Sequence, residues 1–341
     1  MVSAAIYGCQ GSVLNAEEHA FFRDADPWGF ILFRRNIETA DQVIALCAAL
    51  RESIGRNAPI LIDHEGGRVT RLSPELAPPR PPAALLGEIV SRQGLPAAEG
   101  AARLFGRLLA HDCRRLGIDV DCVPMVDVRQ SGAHDIVGDR AFAEDPIVVA
   151  KLGAALAAGL EAGGVLPVVK HIPGHGRAMA DSHHELPRVG CAHDILSDVD
   201  FVPFKLLNQL PLGMTAHIVY EALDPERPAT CSPKVIEESV RGEIGFQGLL
   251  MTDDLSMKAL SGDYRERAER ALAAGCDLIL HCNGKMDEMQ GVAAGTGPLA
   301  PARQALSDEI LRGRKAPEMS RIDDLEAEFG DIVSAYGRWD A

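Results

Sequence analysis

Eight short apolar runs, rich in aliphatic and β-branched residues, recur along the chain and are separated for the most part by segments of helix length. They are SAAIYGC from Ser3, GFILF from Gly29, PILIDHE from Pro59, IDVDCVPMVDV from Ile118, VLPVVKH from Val165, LGMTAHIVY from Leu212, GLLMTDD from Gly248 and CDLILHCN from Cys276. Continuous rather than alternating hydrophobicity suits strands buried on both faces, as in a parallel sheet covered by helices. The clearest helix covers Ala97 to Leu116, with Ala101, Leu104, Phe105, Leu108, Leu109 and Leu116 on one face. Three helices enter a strand through glycine: RRLG-IDVD, EAGG-VLPV and LAAG-CDLI. Gly117, Gly163 or Gly164, and Gly275 suit the left-handed position that closes a helix. Eight such strands predict an α/β fold of the (β/α)8 barrel type. A doubly wound sheet is the alternative, weakened because no glycine-rich dinucleotide fingerprint follows the first strand.

Charge excludes one class of partner. With 34 basic against 49 acidic residues the formal net charge is −15, and basic runs stop at the pairs Arg34–Arg35, Arg114–Arg115 and Arg314–Lys315. A nucleic-acid binder needs a basic stripe, so none is expected. No apolar stretch reaches the roughly 18–20 residues of a membrane span, and the N-terminus lacks the basic start of a secretory signal. The eight cysteines contain no CxxC pair and read as reduced, buried thiols. We therefore expect a cytoplasmic protein, monomeric, without membrane attachment. No linker divides the chain. The expectation is one domain over residues 1–341, with the barrel to about 285 and a C-terminal helical extension from about 286.

The strand ends carry ionisable residues of one polarity: Arg34, Asp63 with His64 and Glu65, Asp127, Lys170 with His171, His217, Asp253 with Asp254, and His281. In a barrel these would crowd the C-terminal rim, where barrel enzymes hold their active sites. The richest segment is KHIPGHGRAMADSHHELP, from Lys170 to Pro187. His171 and His175 bracket Ile172-Pro173-Gly174, which cannot be a helix interior, so helical zinc-ligand spacing is not met. A metal-dependent hydrolase stays as an alternative. Asp181 and His183 are two residues apart and leave one face of an extended loop. A carboxylate beside an imidazole orients the ring and favours its protonated form, as a general acid that later acts as base needs. A solvated surface Asp-Ser-His competes with that reading.

Asp253 and Asp254 end a strand, and alternation allows only one to face the rim. Metal binding, helix capping and nucleophilic attack are all open to such a pair. In IDHEGGRVTRL, Asp63, Arg68 and Arg71 suit either contacts to sugar hydroxyls or a structural ion pair.

Taken together, IDHEGGRV, GDRAF, KHIPGHG…DSH…LP and MTDDLSM resemble the family 3 glycoside hydrolases, specifically the bacterial β-N-acetylhexosaminidases of the NagZ type. The four motifs occur in the family's order between about Gly29 and Leu280. The resemblance implies a single-domain barrel and a role in cell-wall recycling without cofactor or metal. The substrate it implies is a muropeptide with GlcNAc β-1,4-linked to 1,6-anhydro-N-acetylmuramic acid. It implies Asp253 as nucleophile, with Thr252 where the family has Ser, and His183 as acid/base with Asp181 as partner. It implies sugar binding by Asp63, Arg71, Arg140, Lys170 and His171. A phosphorylase, or another exo-β-glycosidase, would use the same residues. Larger relatives take their acid from a second domain, whereas here a barrel loop is expected to supply it. An acidic exterior around a locally basic pocket is also expected.

Overall fold

Gly117, Gly164 and Gly275 hold positive φ angles of 83°, 82° and 109°, each just ahead of a barrel strand. Gly163 is right-handed at φ −83°, so Gly164 is the residue that turns the chain there. The structure, a computed structural model, describes residues 1–72, 74–132, 134–180, 182, 185–318 and 320–336.

Each of the eight apolar runs supplies one strand: β1 (Ser3–Gly8), β2 (Pro27–Leu32), β3 (Ile60–Ile62), β4 (Val120–Asp121), β5 (Leu166–Ile172), β6 (Leu212–Thr215), β7 (Leu249–Met251) and β8 (Ile279–His281). They form one parallel sheet in the order β7-β6-β5-β4-β3-β2-β1-β8. A parallel bridge from Met251 to Leu278 closes the ring, and the Thr252 amide donates to the Leu278 carbonyl at 3.0 Å. The fold is the expected (β/α)8 barrel.

Two runs are shorter as strands than they read. The fourth ends at Asp121, ahead of Pro124, which has no N–H for the ladder, and stays beside β5 through the Val168 amide on the Val123 carbonyl and a Met125–Lys170 bridge. The sixth leaves the barrel at Thr215. Its far end, Val219–Tyr220, pairs instead with Arg188–Val189 in a separate ribbon.

Period-two alternation sorts the core into two layers. Ala4, Ile6, Ile31, Leu61, Val120, Val168, Leu212, Met214, Leu249, Met251, Leu278 and Leu280 belong to the cluster inside the barrel. Their neighbours Ala5, Tyr7, Phe30, Leu32, Ile60, Ile62, Val169, Leu250 and Ile279 belong to the cluster between sheet and helices. Helices Leu95–Arg114 and Pro146–Ala162 cross where Gly106 and Gly159 meet. A Cβ on Gly106 would sit 2.2 Å from the Leu156 carbonyl oxygen, and one on Gly159 2.2 Å from that of Arg103.

The last part of the chain folds as helices Met286–Gly295, Pro301–Arg312 and Ile322–Val333. Ser307 accepts from the Trp28 indole at 2.6 Å, which ties the second of these helices to the start of β2. Phe329 of the third stacks on Phe105 at 5.5 Å. All eight cysteines are unpaired, and all but Cys191 are buried. Among the described residues no helix is long and apolar enough to cross a membrane.

Candidate active site

The inward register of the strands continues past their ends. Leu61 inside β3 is followed two residues on by Asp63, Val168 in β5 by Lys170, Met251 in β7 by Asp253, Ile31 in β2 by Phe33, and Leu280 in β8 by Cys282. All five of these successors line one cavity of about 250 Å³ at the C-terminal end of the barrel. Glu65, Arg71, Arg140, His171, His175, Ser182 and Asp254 line it too, with Ile136, Val137, Met214 and Met257 as apolar wall.

One wall is a chain of charges of alternating sign. Arg71 donates to Asp63 Oδ2 at 3.0 Å, and Lys170 Nζ donates to Asp63 Oδ1 at 3.0 Å. Lys170 also reaches Glu65 Oε1 at 2.6 Å. Glu65 in turn accepts both arms of the Arg140 guanidinium, at 2.8 and 2.7 Å. Burial alone would raise the Asp63 carboxyl, but Lys170 and Arg71 outweigh it and hold it well below the usual carboxylate range. Burial likewise opposes Glu65, yet Arg140 and Lys170 bring it down to about 2. Burial disfavours the Lys170 ammonium, and Asp63 and Glu65 together more than restore it. Three cations face two carboxylates along this wall, but Asp253 and Asp254 bring the cavity lining to four carboxylates, so the pocket as a whole is not the basic one expected.

Beneath the second wall lies Asp127, fully buried. Its Oδ2 accepts from His171 Nδ1 at 2.7 Å and its Oδ1 from the His175 amide at 2.6 Å. That acceptor leaves Nε2 as the free face of the His171 ring. The His175 ring meets His171 edge to face at 5.4 Å, and its Nε2 lies 3.4 Å from Ser182 Oγ. Burial, with His171 adjacent, pushes the His175 pKa down to about 4, so its ring is neutral. His171 follows Lys170 through a cis peptide.

The paired aspartates divide their work. Asp254 Oδ1 accepts from the amides of Ser256 at 2.9 Å and Cys282 at 3.0 Å, and its Oδ2 accepts from the Ser256 hydroxyl. Thr252 Oγ1 accepts from the Leu280 amide at 2.9 Å. Side-chain oxygens thus clasp β7 to β8 on either side of Asp253. Asp253 Oδ1 accepts from the Asp254 amide at 2.8 Å, and its carboxylate stands at the cavity. His217, fully buried and with its pKa lowered by that burial, has its Nε2 3.1 Å from the Asp254 carbonyl oxygen and its Nδ1 2.7 Å from Thr230 Oγ1.

Not every strand-end group reaches the cavity. His64 turns away behind β3 towards Asp112. His281 is fully buried against Tyr264, at 5.2 Å, and Arg34 is exposed outside the cavity lining. Asp181 and His183, the expected acid/base pair, and His184 lie outside the described residues. The root of their loop is held by the Asp127–His175 bond, by Arg177 donating to Asp200 at 2.6 Å, and by Tyr220 donating to the Gly174 carbonyl at 2.7 Å. Among the described residues no three His, Cys, Asp or Glu side chains gather as a metal-ligand group.

The sequence pattern of the glycosyl hydrolase family 3 N terminal domain matches residues 10–312. A β-hexosaminidase from Tolumonas auensis is 37% identical over 340 residues, covering 97% of this chain and 93% of its own. One from Pseudomonas aeruginosa PAO1 is 39% identical over 287 residues, with 83% of each chain covered. The chain belongs to the β-hexosaminidases of glycosyl hydrolase family 3. Among solved structures, NagZ from Neisseria gonorrhoeae in complex with N-trifluoroacetyl-D-glucosamine superposes with a TM-score of 0.77 at 33% identity, covering 96% of this chain and 89% of that one.

This family 3 hydrolase brings Asp63, Arg71, Arg140, Lys170, His171 and Asp253 around one cavity, all singled out from sequence. Glu65 and Asp127, at the ends of the third and fourth apolar runs, complete the site without having been singled out by a motif: Glu65 pairs with Arg140 and Lys170, and Asp127 holds His171. The sequence signal for Glu65 is its place two residues after Asp63 at a strand end.

Proposed function

We propose that this glycoside hydrolase removes terminal β-linked N-acetylglucosamine with retention of configuration, through a covalent glycosyl-aspartate at Asp253. The observation that carries this reading is the division of labour at the end of β7. Asp254 is consumed by the β7–β8 clasp, while Asp253, in the inward register, presents a carboxylate to the cavity.

In the first step Asp253 attacks the anomeric carbon while the His183 imidazolium protonates the departing glycosidic oxygen. In the second, His183 takes a proton from water as that water displaces Asp253. A histidine, ordinarily near pKa 6.5, serves both roles near neutrality with less tuning than a carboxylic acid needs. Asp181 fixes its tautomer and steadies the charged form. Asp63, Arg71, Arg140, Lys170 and His171 hold the sugar. Their paired charges and the free Nε2 of His171 suit an array of hydroxyls and an amide.

The natural substrate under this reading is a muropeptide bearing GlcNAc on 1,6-anhydro-N-acetylmuramic acid, processed in the cytoplasm during cell-wall recycling. The relatives' names support the hexosaminide part of this reading, and the muropeptide and its setting rest on the resemblance of the sequence motifs alone. The deciding experiment is product analysis on that disaccharide and on aryl β-N-acetylglucosaminide, β-glucoside and β-xyloside, with and without phosphate. Release of free GlcNAc, insensitive to phosphate and strongest on the N-acetylglucosaminide, is expected. A sugar 1-phosphate would make the chain a phosphorylase. Equal turnover of glucoside would overturn the amide preference. His183→Ala should slow substrates with poor leaving groups far more than activated aryl glycosides, and equal loss on both would give that residue a structural role.

A further inference from the structure

We infer that Glu326, on the helix Ile322–Val333, is a positioning residue for the sugar-binding segment 63–71, acting through the buried side chain of Arg80. The inference rests on the proposed sugar-binding role of Asp63, Glu65 and Arg71, and on a continuous path of polar contacts.

Arg80, with a side chain 2% exposed, is gripped from two sides. It donates to Asp112 through Nε at 2.7 Å and Nη2 at 3.0 Å. It donates to Glu326 through Nη1 at 3.0 Å and Nη2 at 2.8 Å. Asp112 lies 3.4 Å from His64 Nε2, and His64 Nδ1 lies 2.7 Å from Thr70 Oγ1. The path therefore runs from a surface helix to both arms of the small ribbon made by His64–Gly66 and Val69–Thr70. That ribbon lies between Asp63 and Arg71 and contains Glu65, which orients Arg140 and Lys170.

Backbone contacts run in parallel. Gly67 N donates to the Arg80 carbonyl at 2.8 Å. A Cβ on Gly66 would lie 2.3 Å from the Pro81 carbonyl oxygen, and one on Gly67 2.8 Å from Pro82. The ribbon thus rests directly on residues 80–82, with no room for another side chain between them. A guanidinium is planar and its fork cannot satisfy two carboxylates in more than a narrow range of orientations. Fixing Arg80 between Asp112 and Glu326 therefore fixes the backbone on which the ribbon sits. The matched family region ends at residue 312, so the second carboxylate of this grip comes from chain beyond it. Glu326 is not among the residues that line the cavity, and 34% of its side chain is exposed. Its effect on substrate has to be transmitted.

The test uses the full chain, with Glu326→Ala, the conservative Glu326→Asp, and Arg80→Lys alone and combined with Glu326→Ala. Hydrolysis of an aryl β-N-acetylglucosaminide gives KM and kcat, and calorimetry gives the Kd of N-acetylglucosamine. Glu326→Ala should raise both KM and Kd about fivefold, the size expected for a contact along a coupled network, with kcat changed less than about twofold. Glu326→Asp should recover most of the loss, and Glu326→Ala should add little in the Arg80→Lys background. Unchanged KM and Kd in Glu326→Ala overturn the inference. So does a fall in kcat that follows the folded fraction with KM unmoved, since that is a purely structural role. Absence of turnover by the wild type overturns the underlying enzymatic reading instead, and the Kd series then decides the inference by itself.

Discussion

Asp254 and Cys282 join the two strands at which the barrel closes: the Asp254 carboxylate accepts the Cys282 amide at 3.0 Å. The preceding residue of the pair, Asp253, faces the cavity. Closure of the ring and placement of a reactive carboxylate are thus performed by adjacent side chains of one type.

Substitution separates those two tasks. Asp253→Asn keeps an oxygen for the Asp254 amide, so thermal stability should hold while turnover disappears. Asp254→Ala leaves the amides of Ser256 and Cys282 without an acceptor and should cost about 1–3 kcal/mol. Turnover should fall as well, because the seam beside Asp253 loosens. A melting scan paired with kcat on an aryl N-acetylglucosaminide distinguishes the patterns.

Glu65 is the keystone of the charged wall. Glu65→Gln leaves Arg140 and Lys170 underpaired in a buried setting and should destabilise by about 3–5 kcal/mol. A carboxylate whose pKa is lowered on folding contributes its stability above its unfolded value and loses it as pH falls through the folded one. With an unfolded value near 4.3 and a folded one of about 2, the gap between wild type and variant should be full at pH 7. It should narrow between about pH 4 and 2. Urea unfolding at stepped pH measures it.

His175 shows the same direction of dependence in a higher pH window. Its folded pKa of about 4 lies below the ordinary 6.5, so the unfolded chain takes up a proton first as the medium is acidified. The stability tied to the neutral ring is complete above about pH 6.5 and declines towards pH 4, by roughly 1–2 kcal/mol at pH 5. His175→Gln should be less stable at pH 7 and should show a flatter stability profile between pH 7 and 5.

Gly176 stands at the root of the loop that leads to Asp181 and His183. A Cβ there would come within 1.9 Å of the Val128 carbonyl oxygen, so Gly176→Ala must displace the loop. Turnover of unactivated glycosides should fall by about a hundredfold, the lower end of what a positioned acid/base group contributes. Binding of GlcNAc through Asp63 and Arg71 should persist, and calorimetry against kcat separates these effects.

The strands were legible because strands buried on both faces must be apolar throughout, and all eight runs supply one. Asp63, Lys170 and Asp253 were legible because each continues an inward register. What could not be read was contact made far along the chain. Asp127 sits under His171, 44 residues away, and Arg80 meets Glu326 across 246 residues. Their side chains look ordinary in sequence, and only the folded barrel brings them together. The early end of the sixth strand was hidden for a related reason. Val219 and Tyr220 are as apolar as barrel residues but spend that character on a ribbon with Arg188 and Val189.

Because Asp63, Lys170 and Asp253 occupy the rung directly above Leu61, Val168 and Met251, the spacing that packs the barrel is also the spacing that aims its chemistry. A slip of one residue in β3, β5 or β7 would turn these charges into the layer shared by sheet and helices, away from the partners that pair them at the cavity. A chain threaded out of step could not persist as a folded but idle enzyme. For this protein, proofreading of strand alignment and assembly of the sugar pocket are a single event.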